Sequence, residues 1–144
     1  MMNYSELLAE GKIRAEPLAR RQVARQLAAA KRDLGTAHRL GPDDEWSFNI
    51  AYNAMLLAGR AVMFSEGYRP TAGEGGHAAV VQFLRIRLGP EFAEALDVMD
   101  RMRRQRHRIA YEGEGIVPQS QIAEAIATAE RFVSEIEKVL KGLQ

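Results

Sequence analysis

The 144-residue chain contains no cysteine, and this absence excludes disulfide bonds, thiol catalysis and thiolate metal ligands. The sequence also lacks an apolar stretch of the roughly 18 residues that a membrane-spanning helix needs. Its first residues contain no apolar run of the length found in signal peptides. We therefore expect a cytoplasmic protein that does not contact a membrane.

A net charge of one sign is almost absent, because 20 lysines and arginines oppose 19 aspartates and glutamates. Such a chain has no overall field that attracts nucleic acid, so any binding of this kind requires a local cluster of charge. Hydrophobic residues make up 47% of the chain, which is enough for the core of one domain. We predict that this domain spans residues 1–144.

No segment shows the alternation of apolar and polar residues that is typical of a β-strand. Apolar residues instead recur at steps of three to four, which indicates amphipathic helices. The predicted fold is all-α: an antiparallel up-and-down bundle of four to five helices over residues 16–142, preceded by a short helix over residues 4–13. The long helical segments begin near residues 18, 42, 77, 91 and 119.

Residues 67–76 are rich in glycine, and the trio Gly73, Gly75 and Gly76 has the composition of a phosphate-binding loop. No predicted strand precedes the trio and no Lys-Ser/Thr pair follows it, so we interpret the segment as a flexible connection. His77 stands alone, and its position suits a helix start. No second ligand lies at metal-binding spacing, so we expect no metal and no cofactor.

Residues 101–108 hold five arginines and one histidine on a single predicted helix. The arginines are Arg101, Arg103, Arg104, Arg106 and Arg108. Arginine forks onto two phosphate oxygens, and the bias against lysine favours phosphate or nucleic-acid binding. A solvated helix face paired with acids such as Asp97 and Asp100 is the alternative, and the sequence leaves both interpretations open. Tyr52 and Asn53, on the second long helix, are weaker site candidates.

The sequence resembles the HEPN family (higher eukaryote and prokaryote nucleotide-binding) over residues 16–142. The resemblance is carried by the alanine-rich helix FNIAYNAMLLAGRAVMFSEGYRP, by the Gly-His pair that opens the next helix, and by the arginine-rich helix. The family motif is Arg, a polar residue, three further residues and His. Arg106 and His107 take the first two positions here, and Tyr111 stands where the family has histidine.

Membership implies a homodimer in which two motifs face each other across a groove. Nuclease members cut RNA without metal, and many bacterial members are toxins paired with a nucleotidyltransferase antitoxin. Other members bind nucleotides or nucleic acid without catalysis. In some toxins the partner modifies a tyrosine two residues beyond the motif histidine, but this chain has Gly113 there, so that regulation is not expected.

Tyr111 changes the chemistry that the motif can perform. Histidine has a pKa near 6.5 and suits proton transfer at neutral pH, whereas a tyrosine pKa of about 10 makes a poor base. His107 shares a helix face with Arg103 and Tyr111, but not with its neighbour Arg106. We therefore expect a dimeric module whose arginine-rich groove binds a nucleotide, RNA or a protein partner without efficient catalysis. The alternative hypothesis is a metal-independent endoribonuclease that uses Arg106 with His107 or Tyr111.

Overall fold

Six α-helices and one two-stranded sheet form the part of the chain that the structure describes. The structure is a computed structural model. It covers residues 3–72, 74–112 and 117–142, and the side chains of residues 74 and 110–112 lie outside the description. The elements are α1 (Tyr4–Ala9), β1 (Ile13–Ala15), α2 (Val23–Leu40), α3 (Trp46–Ser65), β2 (Tyr68–Pro70), α4 (Glu74–Arg87), α5 (Ala93–Glu112) and α6 (Gln119–Gly142), with 3-10 turns over Pro17–Gln22 and Pro90–Phe92. The predicted all-α bundle is confirmed, and α1 is a short addition to five long helices.

Helix α3 is the centre of the bundle and packs against α2, α4, α5 and α6. Its sequence is apolar almost all round, as expected for a helix that is surrounded by others. The buried α3 residues are Ser47, Phe48, Ala51, Tyr52, Ala54, Met55, Leu56, Ala58, Gly59, Ala61, Val62, Met63 and Phe64. Gly59 permits a close approach to α4, since a Cβ atom there would lie 2.8 Å from Leu84 Cδ1 and 2.9 Å from Val80 Cγ1.

A small antiparallel sheet lies where helix and loop were expected. Helix α1 ends at Ala9, and β1 then pairs with β2, with Ile13 opposite Pro70 and Ala15 opposite Tyr68. Gly11 adopts a positive φ of 71° in the turn between α1 and β1. Strands of three residues are too short to show alternation in the sequence, so the prediction of a helix over residues 4–13 and of a loop over residues 67–76 was wrong in this respect.

The long helices lie close to their predicted positions, with differences at the ends. Pro17 begins a 3-10 turn, so α2 starts only at Val23. Helix α4 begins at Glu74, and His77 therefore lies in its first turn rather than at its start. Helix α5 runs without a break from Ala93 to Glu112 and carries all five clustered arginines. The last helix spans residues 119–142, as predicted.

Candidate functional site

A cleft of about 1100 Å³ lies between α5 on one side and α3, the sheet and the start of α4 on the other. Its lining contains seven arginines and two histidines, and no aspartate or glutamate is among the described residues that line it. These residues are Arg14, Arg60, Arg69, Arg103, Arg104, Arg106, Arg108, His77 and His107. Such a concentration of one charge in a cleft attracts anions even when the net charge is near zero. We call this feature the cationic cleft.

Helix α5 supplies one side of the cationic cleft through Arg103, Arg104, Arg106, His107 and Arg108. These are four of the five arginines that the sequence analysis grouped together. Arg101 does not line the cleft. Its guanidinium forms an ion pair with Glu124 on α6, because each helical residue is rotated by about 100° from the one before it.

Arg106 is held in place by two residues of α3. Its Nε donates a hydrogen bond to Oδ1 of Asn49 at 2.9 Å, and its Cζ lies 4.5 Å from the centre of the Tyr52 ring. The second contact is a cation–π interaction, which fixes the plane of the guanidinium. Neither terminal nitrogen of Arg106 donates to a side chain that the structure describes. The guanidinium group of Arg106 is therefore oriented, and its terminal nitrogens are available to an anion.

Asp100 anchors the two arginines that precede Arg106. The Nε of Arg103 lies 3.0 Å from Oδ1 of Asp100, and Nη1 of Arg104 lies 3.4 Å from Oδ2 of the same carboxylate. The other acid considered as a partner, Asp97, pairs with Arg85 on α4 instead. One carboxylate thus serves two arginines.

Tyr52 and His77 connect α3 to the first turn of α4 beneath the cleft. The Tyr52 hydroxyl lies 3.1 Å from Nδ1 of His77. Burial raises the pKa of Tyr52 to about 12, so the phenol stays protonated and can donate to Nδ1. Burial, together with Arg60, Arg106 and Arg103, lowers the pKa of His77 below 6.5, so the ring is neutral at pH 7.

The sheet adds two arginines to the side opposite α5. Arg14 on β1 lies directly across from Arg69 on β2. Like charges in such a cross-strand pair destabilise a sheet. Glu16 contacts both of them: its Oε2 lies 3.5 Å from Nη2 of Arg14 and forms an ion pair with Nε of Arg69. Two arginines thus share one carboxylate here as well, and the cleft keeps an excess of positive charge.

The remaining predicted residues lie in several places. His107 lines the cleft and is exposed. Tyr111 belongs to the last turn of α5, and its side chain lies outside the described residues. Asn53 does not line the cleft, because it donates to Oδ2 of Asp33 on α2 at 2.7 Å.

The glycine-rich segment borders the cleft. Thr71, Ala72 and Gly75 contribute to the lining, whereas Gly73 lies outside the described residues. A Cβ atom on Gly76 would lie 2.2 Å from the carbonyl oxygen of Thr71, so glycine is required there for the chain to turn into α4. Packing therefore accounts for one glycine of the trio.

The sequence analysis missed Arg60 and assigned His77 only to a helix start. Both residues line the cationic cleft. A signal for Arg60 was present, because it is the only charged residue in α3, which is otherwise buried almost along its whole length. An isolated charge on such a helix requires a specific partner or a function.

The family model of the HEPN domain matches residues 20–139. The chain belongs to the HEPN family. No curated protein and no solved structure matches it. Membership agrees with the all-α fold and associates this HEPN protein with a nucleotide- or RNA-related function. The cationic cleft lies within the matched region, except for Arg14 on β1.

The part of the chain that the structure describes contains neither a membrane-spanning helix nor a cluster of metal ligands. None of its helices is both long and apolar enough to cross a bilayer. Among these same described residues, no group of three or more histidine, aspartate or glutamate side chains could hold a metal ion.

Proposed function

We propose that this HEPN protein binds the phosphate groups of single-stranded RNA or of a nucleotide in the cationic cleft, without efficient catalysis. The observation that carries the proposal is the lining of that cleft, with seven arginines, two histidines and no acid among the described residues. Phosphate contacts of this kind supply most of the affinity of proteins that bind nucleic acid without reading its sequence.

The arrangement of the arginines supports a phosphate ligand. Arg106 is fixed by Asn49 and Tyr52, and Arg103 is fixed by Asp100. A guanidinium that is already oriented loses less conformational freedom when it binds a phosphate. Preorganised guanidinium groups on one wall of the cleft therefore favour the binding of an anion, and they disfavour the alternative that these arginines only face solvent.

The absence of efficient catalysis is proposed from Tyr111. Metal-independent cleavage of RNA needs a group that accepts the proton of the 2′-hydroxyl at neutral pH. Tyrosine does not do so without a strong perturbation of its pKa. Arg106 retains the position that binds phosphate in the family motif, so loss of the histidine removes proton transfer but keeps binding.

A metal-independent endoribonuclease, of the kind found as toxins, is the second candidate function. The observation that favours it is the presence of two imidazoles, those of His77 and His107, in the cleft with Arg106. His77 is neutral at pH 7 and could accept a proton at Nε2 if Nδ1 carried the ring proton. This tautomer would require Tyr52 to accept rather than donate the hydrogen bond between them.

We also propose that the chain acts as a homodimer and that a nucleotidyltransferase-type protein is a candidate partner. Both proposals rest on the resemblance of the arginine-rich helix to the family motif, which in other members lies at a dimer groove. Sedimentation equilibrium of the purified chain tests the dimer, with twice the monomer mass expected. A mass of one chain at micromolar concentration would refute it.

The function is tested by incubating a labelled single-stranded RNA pool with the protein in EDTA, with fluorescence anisotropy and a denaturing gel read from the same samples. We expect binding that weakens in Arg106→Gln and RNA that stays intact. Metal-independent cleavage that is lost in Arg106→Ala would establish the endoribonuclease instead. Absence of both binding and cleavage would refute both candidate functions.

A further inference from the structure

We propose that Arg60 and His77, supported by Tyr52, form a second phosphate subsite that faces the α5 arginines across the cationic cleft. The cleft would then hold a ligand with at least two phosphate groups, one at each wall. This inference rests on the proposed function, because it divides the same cleft into two subsites. None of these three residues belongs to the arginine motif on α5, although all three lie in the two other segments that carry the family resemblance.

Arg60 is the side chain that most clearly lacks a partner. It is half-buried, lines the cleft, and forms no hydrogen bond or ion pair with any residue that the structure describes. Burial lowers the pKa of Arg60, and repulsion from Arg69 acts in the same direction. A partly desolvated cation without a counter-charge is costly for a folded protein. A bound anion would remove that cost.

His77 and Tyr52 place a hydrogen-bond donor beside Arg60. With the Tyr52 hydroxyl donating to Nδ1 of His77, the ring keeps its proton on Nε2. Tyr52 is fully buried, so it acts as a support that orients the imidazole and does not reach the ligand itself. His77 also lies in the first turn of α4, where the helix dipole adds partial positive charge.

Arg60 differs in its charge balance from the arginine pairs on both walls, which are Arg103 with Arg104 and Arg14 with Arg69. On α5, Arg103 and Arg104 share Asp100, whereas Arg60 on α3 has no acid partner among the described residues. Tyr52 contacts both walls, because its ring lies under Arg106 and its hydroxyl meets His77. One buried residue therefore sets the geometry of a guanidinium and an imidazole that approach the cleft from different helices.

The test uses competition against labelled single-stranded RNA by two probes: a nucleoside 5′-monophosphate and the corresponding 3′,5′-bisphosphate. For the wild-type protein we expect the bisphosphate to compete at least tenfold better than the monophosphate. In Arg60→Gln this advantage should shrink to threefold or less. Arg85→Gln, which removes an exposed arginine that pairs with Asp97 outside the cleft, should keep the full advantage.

Thermal unfolding of the ligand-free variants separates a binding role from a structural one. We expect Arg60→Gln to melt at the same temperature as the wild type or higher, because the change removes an unpaired, half-buried charge. His77→Gln provides a second variant and should also reduce the bisphosphate advantage. A lower melting temperature together with an unchanged advantage would overturn the subsite and leave the proposed function standing. Failure of the wild type to bind RNA would overturn the proposed function itself.

Discussion

The Nε atom of Arg106 lies 2.9 Å from Oδ1 of Asn49, so a side chain of α3 fixes the orientation of an arginine on α5 that lines the cationic cleft. This contact leads to the first prediction. Asn49→Ala should weaken RNA binding roughly tenfold, or about 1.4 kcal/mol. A hydrogen bond to a charged group contributes about 1.5–3 kcal/mol. We expect a loss at the lower end of this range because Tyr52 still holds the guanidinium of Arg106 in the variant. Fluorescence anisotropy with labelled RNA measures the change.

Asn53→Ala is the matched control for Asn49→Ala. The two asparagines lie one helical turn apart on α3, but Asn53 donates to Asp33 on α2, whereas Asn49 accepts the hydrogen bond from Arg106. Its replacement should leave RNA affinity within twofold of the wild type. Equal losses of affinity in the two variants would show that α3 acts only through overall stability, and would contradict a specific role for the Asn49–Arg106 contact.

A pair of glycine substitutions tests how α3 packs against α4. Gly59→Ala should lower the free energy of unfolding by about 1 kcal/mol. The added methyl group would lie 2.8 Å from Leu84 Cδ1 and 2.9 Å from Val80 Cγ1. The cost of this overpacking outweighs the gain in helix propensity. Gly35→Ala in α2 should raise it by about 0.5–1 kcal/mol, because the nearest atom is the flexible end of Arg39 at 3.5 Å. Denaturant unfolding of both variants measures the two changes in the free energy of unfolding. Changes of the same sign would contradict the close packing of α3 against α4 at Gly59.

The all-α bundle, the extent of α6 and the cationic character of α5 could be predicted from the sequence, because helical periodicity and charge are local properties. The opposite wall of the cleft could not be predicted. Arg14 and Arg69 meet only because two three-residue strands pair, and Arg60 meets them at the cleft only through the tertiary packing of α3 beside the sheet. Contacts between residues that are distant in sequence leave no periodic signal. His77 showed the same difficulty, since its partner Tyr52 lies on another helix.

The pKa of His77 predicts how pH affects binding. In the ligand-free protein it lies below 6.5, because of burial and the nearby Arg60, Arg106 and Arg103. The unfolded chain therefore binds more protons between the folded pKa and 6.5, and the stability associated with His77 is complete above pH 6.5 and is lost as the pH falls below it.

A bound phosphate offsets the repulsion on His77 and raises its pKa, so binding takes up a proton. RNA affinity should therefore increase as the pH is lowered from 7.5 to 5.5, and His77→Gln should flatten this profile. His38→Gln is the control, because His38 pairs with Glu130 on α6, away from the cleft. An identical pH profile in wild type and His77→Gln would contradict proton uptake at this ring.

Replacement of Tyr111 by histidine tests whether the scaffold has kept its capacity for catalysis. In the proposed alignment with the family motif, Tyr111→His supplies the histidine four residues after His107 and so adds a proton-transfer group of suitable pKa. We expect wild-type protein to leave single-stranded RNA intact in EDTA and Tyr111→His to cleave it. The cleavage should be lost again in the double variant with Arg106→Ala. Intact RNA with Tyr111→His would show that more than one residue separates this chain from the nuclease members.

A comparison of RNA affinity between two variants with the same net charge tests whether RNA binds in the cationic cleft. Arg103→Glu with Arg106→Glu reverses two charges inside the cationic cleft, whereas Arg85→Glu with Arg131→Glu makes the same change at exposed positions outside it. Anisotropy at low salt should show no binding by the first variant and binding within about threefold of the wild type by the second. Equal losses in the two variants, or retained binding by the first, would show that RNA does not bind in the cleft.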